Sequence, residues 1–183
     1  MAKPFITKKP RLYKPLPTLA RLRKLLICRP RRGELMWRAR NDDTRWTTRY
    51  AGNLAGCIEK RSGYRSIMID GVKYQYHRVL WKMAKGRDPA EQLDHRDLDE
   101  GNNRIGNLRE ANTSQNKSNM GPRADNTSGF KGAYWRKHER RWSAAIIARG
   151  KRHHLGYYES AEAAHAAYCV AAHRLHGGFA RVS

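Results

Sequence analysis

Asp70-Gly71 joins the runs YRSIMID and VKYQYH, in which Ile67, Ile69, Val72, Tyr74 and Tyr76 supply a two-residue alternation. A two-residue type I′ turn needs positive φ at both central positions, and Asp-Gly tolerates it, so the dipeptide predicts a tight antiparallel hairpin. The apolar period then changes. Val79, Leu80 and Met83 predict a helix from about His77 to Lys85, stopped by Gly86. Upstream, Thr18 caps a helix running to about Cys28, with Leu19, Leu22, Leu25 and Leu26 on one face. GELMWR (residues 33–38) starts a strand, and residues 39–62 read as loop and irregular strand. Downstream, Phe130–Arg136, Arg141–Ala148 and Arg152–Tyr158 are strand-like. Ser160 then caps an Ala-rich helix to about His176, closed by Gly177-Gly178, with Ala164, Tyr168, Ala171 and Leu175 as its inner stripe.

Charge narrows the partners. The chain carries 38 Lys and Arg against 16 Asp and Glu, a net +22. Such self-repulsion favours a polyanionic partner, with nucleic acid first and an anionic membrane surface second. No run of about 18 apolar residues predicts a membrane span. Residues 1–17, with four prolines, read as a basic extended arm without an apolar secretory stretch. Within it Lys3, Lys8, Lys9, Arg11 and Lys14 suit phosphates, as do Arg29, Arg31 and Arg32 beyond it. Cys28, Cys57 and Cys169 are scattered and odd in number, which excludes a disulfide framework and a CxxC zinc site and suits a reducing compartment. The acids concentrate in residues 61–120, which hold 8 of the 16. Basic flanks around a locally acidic centre suit a protein that grips a polyanion and places a cation between the grips.

That centre contains LDHRDLDEGNNRIGNLREANTSQNKSN, residues 93–119, a poor core sequence. Asp94-His95 is followed by Asn107 and Asn116, twelve and twenty-one residues after His95. If Asp94-His95 lies on one strand, NLRE on a second and Ser114–Asn119 on a helix, the polar groups converge. Asp and Asn oxygens are hard ligands for a cation such as Mg²⁺. A neighbouring imidazole can take a proton from water attacking a phosphodiester.

The stretch resembles the HNH (ββα-metal) endonucleases, especially the phage and intron-encoded homing enzymes. Tyr76-His77-Arg78, Leu93-Asp94-His95, Asn102-Asn103-Arg104, Asn107–Ala111 and Ser114-Gln115-Asn116 carry the match. The resemblance implies His95 as general base, Asp94 and Asn116 as metal ligands, and Asn107 as the residue that orients His95 by hydrogen bonding. His77 matches a further recurrent position, where it either contacts phosphate or supports its helix. The implied cofactor is a divalent metal, Mg²⁺ with Mn²⁺ as the alternative, without structural zinc.

Residues 127–181 resemble the Apetala-two/ethylene-response-factor DNA-binding domain, through SGFKG (128–132), Arg141-Trp142, LGYY (155–158), Ser160–Ala172 and His176-Gly177. That family's three-stranded sheet lies in the major groove. The resemblance implies contacts from Lys131, Tyr134, Arg136, Arg152 and His154, with Arg149 close to the same surface.

The expected protein is α+β: a basic arm (1–17), an HNH nuclease domain (18–120), a linker (121–128) and a three-stranded antiparallel sheet packed on one helix (129–183). Its expected function is metal-dependent hydrolysis of double-stranded DNA at selected sites by a monomer, with no membrane partner and no small-molecule cofactor. The expected setting is the bacterial host cytoplasm of a phage or mobile element. The alternatives are a catalytically inactive DNA-binding regulator and a basic RNA-binding or structural protein.

Overall fold

A computed structural model describes residues 14–122 and 125–182, so most of the expected basic arm lies outside the described residues. The fold is α+β, with five α-helices and several small antiparallel sheets among those residues. The chain divides into two compact units: one runs through Asp88 and takes in Asn103–Ile105, and the other comprises Pro89–Asn102 and Gly106–Ser183. The described residues of the linker expected at 121–128 therefore fall within the second unit.

In the first unit, Thr18 caps α1 (Leu19–Leu25) by accepting the Arg21 N–H. The helix ends three residues earlier than expected. Leu26 instead begins β1 (Leu26–Arg29), which pairs with β2 (Glu34–Trp37) from Leu26↔Trp37 to Arg29↔Glu34. Four strand pairings outcompete one more helical turn. Residues 39–62 contain a helix that the sequence reading leaves as loop: α2 (Thr44–Tyr50), capped by Asp43. Nothing in α2 is buried, so it has no apolar stripe to reveal it. The short β3 (Cys57–Ile58) adds to the expected hairpin of β4 (Arg65–Ile69) and β5 (Val72–Gln75). Asp70 and Gly71 have φ of 50° and 74°, the positive pair a type I′ turn requires.

The helix α3 (Tyr76–Lys85) follows and stops at the left-handed Gly86, as the sequence indicates. Tyr76 is almost fully buried, and its hydroxyl accepts the Leu35 N–H and donates to Gly33 O. Burial pushes its phenol up to about 12, so the hydroxyl keeps its proton as a structural pin between α3 and the β1–β2 hairpin. The segment Asn103–Ile105 lies against the turn of that hairpin, where Ile105 N donates to Pro30 O. A Cβ on Gly33 would meet Asn103 C and Arg104 N at 2.6 Å, and φ there is +74°, so only glycine permits the approach.

In the second unit, β6 (Gln92–His95) pairs with β7 (Leu108–Ala111), and α4 (Thr113–Asn119) follows. Asn112 and Gln115 form a reciprocal capping box that fixes where α4 begins. Next come β8 (Ala133–Arg136), β9 (Arg141–Ala148) and β10 (Lys151–Tyr158), in spatial order β10-β9-β8. Ser160 caps α5 (Ala161–His176), which packs its alanines on this sheet. Ala164, Tyr168 and Ala171 are buried as expected, but Leu175 is 39% exposed. The buried stripe ends at Ala172, and the last helical turn lies beyond it. A 3₁₀ turn, Gly177–Phe179, follows α5 and packs against α4.

Candidate functional site

The hairpin and helix assumed for residues 93–119 are both formed, and they gather some of the expected groups. Asp94 stands directly opposite Arg109 in the β6–β7 register, and Arg109 Nε donates to Asp94 Oδ2 at 2.8 Å. Both side chains are largely buried, 7% and 10% exposed, so the ion pair is shielded from solvent. Asn119 Nδ2 donates to both Asp94 oxygens, at 2.9 and 3.1 Å, and to His95 O at 3.2 Å. One helical turn earlier, Asn116 Nδ2 donates to Gln92 Oε1 at 2.7 Å. Gln92 and Asp94 share a strand face, and Asn116 and Asn119 share a helix face, so two parallel rungs tie α4 to β6. The sequence reading missed Asn119. Its signal was present, three residues after Asn116 on the same face.

His95 is buried on β6 opposite Leu108. Asn107 is bonded to other groups than the expected imidazole. Its Nδ2 donates to Asp97 Oδ1 and Asn102 O, both at 2.8 Å, while its Oδ1 accepts the Asp97 N–H at 3.2 Å. Its backbone O accepts the Arg96 N–H. Asn107 thus steadies the loop that begins just after His95 instead of bonding the imidazole. Desolvation raises the Asp97 carboxyl, but bonds from Asn107, the Asp99 N–H and Asn102 outweigh it and hold the group below the usual carboxylate range. His77 belongs to the first unit, buried on α3 with its ring 5.6 Å from that of Tyr64, a packing position.

The donor set fits a hard divalent cation. The amide nitrogens of Asn116 and Asn119 are spent on β6, and among the described residues neither amide oxygen receives a donor. Asp94 Oδ1 accepts one hydrogen bond where a carboxylate oxygen takes about two. One carboxylate and two carboxamide oxygens, completed by water, suit Mg²⁺-type coordination. Among the described residues no group of three or more His, Cys, Asp or Glu converges on a metal position.

A second surface lies on the sheet face turned away from α5. The register Arg136↔Arg141, Tyr134↔Ser143, Ile147↔Arg152 and Ala145↔His154 puts these residues on one side. Tyr134, Arg136, Arg152 and His154 are exposed there, with Arg149 at the β9–β10 turn. Arg152 lies 5.6 Å from the Tyr134 ring, and His154 packs on Tyr157. Arg141 joins this face unannounced by the sequence reading. Lys131 does not: its Nζ donates to Ser118 O (2.7 Å), Met120 O (2.6 Å) and Arg181 O (3.2 Å). Burial first, then Arg181, lowers its ammonium to about 8. Lys131 closes the C-terminal end of α4.

Residues 74–118 match the HNH endonuclease family, whose domain this segment is. HNH nucleases use divalent metals. The chain is also 35% identical over 106 residues to Protein 3.8 of Escherichia phage T7, an alignment covering 57% of this chain and 87% of the phage protein. The chain belongs to the family of that phage protein. No solved structure matches it. No helix among the described residues is long and apolar enough to cross a membrane.

Proposed function

We propose that the chain is a metal-dependent, site-selective DNA endonuclease of homing type. On this reading residues 18–120 carry the cutting centre and residues 129–183 read the site. It acts as a monomer encoded by a phage or mobile element in a bacterial cell, a setting supported by the phage relative. The observation that carries the reading is a buried Asp94 pinned by Arg109 and Asn119, followed directly by a buried His95. A carboxylate is not buried without pay-off in an inert loop, because desolvation is costly even when the charge is paired.

Asp94 and Asn116 hold the cation, with Asn119 beside them. The cation, when bound, neutralises charge on the scissile phosphate and leaving oxygen. His95 takes the proton of the attacking water. Asn107 holds the adjoining loop so that the His95 backbone stays fixed, and His77 supports α3. The exposed Tyr134, Arg136, Arg149, Arg152 and His154 meet phosphates and base edges in the major groove. Lys131 is left out of that set, because its ammonium is committed to three carbonyls.

Conversion of supercoiled plasmid, with and without Mg²⁺, tests the reading. His95→Ala should cut roughly a hundredfold or more slowly, the scale of general-base loss, while binding duplex as tightly as the parent. Near-normal cleavage by the variant removes His95 from the mechanism. Tight duplex binding by the parent without cleavage in Mg²⁺ or Mn²⁺ would favour the inactive regulator.

A further inference from the structure

Arg109 is gripped from two directions. Its Nε holds Asp94 Oδ2, its Nη1 donates to Gly178 O at 2.5 Å, and its guanidinium carbon lies 3.7 Å from the centroid of the Phe179 ring. A planar guanidinium can stack on a ring while its edge forks to two acceptors, which a lysine cannot reproduce. The chain just beyond the 3₁₀ turn is held as well, since Lys131 Nζ donates to Arg181 O. Two basic side chains, Arg109 and Lys131, are thus spent on fastening the C-terminal residues to the β6–β7–α4 segment.

The consequence falls on Asp94. Its Oδ2 receives two donors, Arg109 Nε at 2.8 Å and Asn119 Nδ2 at 3.1 Å, whereas Oδ1 receives only Asn119 Nδ2 at 2.9 Å. The carboxylate is therefore oriented, with Oδ2 filled and Oδ1 holding an open acceptor site. We propose that the C-terminal turn Gly177–Phe179 is a positioning element of the cutting centre: Phe179 and Gly178 hold Arg109, and Arg109 orients Asp94 so that Oδ1 faces the divalent cation. This rests on the reading of Asp94 as a cation ligand. It makes the C-terminal residues more than a DNA reader, because without them Arg109 loses two of its three anchors.

The test uses the full chain with Phe179→Ala and Phe179→Tyr. Mn²⁺ binding is measured without DNA by the loss of the free-ion electron paramagnetic resonance signal. The Mg²⁺ concentration for half-maximal plasmid cleavage and the duplex affinity in EDTA are measured beside it. Phe179→Ala should weaken Mn²⁺ binding about tenfold, the lower end of the effect of removing a group that orients a metal ligand. The Mg²⁺ midpoint should rise in parallel, and duplex affinity in EDTA should hold. Phe179→Tyr keeps the ring and should restore both cation readouts.

Unchanged Mn²⁺ affinity in Phe179→Ala overturns the proposal. So does tighter Mn²⁺ binding, which would make Arg109 a competitor of the cation, and so does a fall in duplex affinity in EDTA, which would make Phe179 a DNA contact. If Phe179→Ala fails to fold, Arg109→Lys keeps the charge without the stacked fork and must show the same loss of Mn²⁺ affinity. A parent chain that binds no Mn²⁺ defeats the nuclease reading itself. A parent that binds while Phe179→Ala matches it defeats only the role of the turn.

Discussion

The segment Gln92–Asn119 and the outer face of the β8–β9–β10 sheet are both rich in polar and charged groups, and they use them in opposite ways. In the first, Asp94, His95 and Asn119 are buried and cross-bonded, and Arg109 reaches in to neutralise the carboxylate. In the second, Tyr134, Arg136, Arg141, Arg152 and His154 stand exposed around the small Ser143 and Ala145, with Ile147 also bare. Burial raises the electrostatic stakes, so each group in the hairpin is held in one geometry. Exposure lets cations adapt to a long polyanion, where counterion release provides affinity without a fixed pose. One region fixes its polar groups among protein partners, and the other leaves them to solvent.

The widest split between the regions should come from removing one arginine from each. Arg109→Ala strands Asp94 without its counter-charge in a site that is mostly shielded. Breaking such a pair costs about 3–5 kcal/mol of stability. Arg136→Ala, on the exposed face, should move stability by no more than about 0.5 kcal/mol. Urea denaturation of the two variants measures both numbers, and equal losses would erase the distinction.

Duplex binding should rank the same surfaces in reverse. Arg136→Ala and Arg152→Ala, each folded, should weaken binding to the preferred duplex. An arginine that reads a base costs about 1–3 kcal/mol and relaxes selectivity, whereas one that clamps a phosphate weakens all duplexes alike and lowers the salt slope by about one. Competition between specific and random duplexes at several salt concentrations separates the two roles. No loss with either variant would leave the outer face as merely solvated charge.

What the sequence made legible was local. The Asp70-Gly71 hairpin, the Gly86 stop, the Ser160 cap and the strands of the C-terminal sheet all declare themselves within a few residues, through turn chemistry, caps or period. The shared strand of Asp94 and His95, assumed from spacing, is formed as β6. The rest depends on distant partners. No local pattern distinguishes Lys131, bonded to carbonyls 11, 13 and 50 residues away, from the exposed cations five residues on. Arg109 looks like any strand arginine until the register sets it opposite Asp94 and the C-terminal turn closes on it. Asn107 has the expected position but bonds Asp97 and Asn102, because the loop between the strands folds back on it.

Lys131 gives the smallest and most specific prediction, because it is an expected DNA contact whose ammonium is engaged with backbone carbonyls. Burial lowers its ammonium to about 8 in the folded chain, against about 10.5 when exposed. Between those values the unfolded chain binds more protons at this position than the folded chain, so stability rises with pH across the window. Below about 8 both states are protonated, and the cost of burying the charge is fully felt. Lys131→Met keeps a stem of similar length and removes the titration. The stability of the parent relative to Lys131→Met should therefore increase from pH 8 to pH 10.5, as followed by urea midpoints at fixed ionic strength, with the other titrating groups cancelling in the difference. Duplex affinity near pH 7 should change little in the same variant, since the ammonium is engaged with Ser118 O, Met120 O and Arg181 O. A flat or falling stability difference, together with a loss of duplex affinity like that of Arg136→Ala, would return Lys131 to the outer face and to DNA.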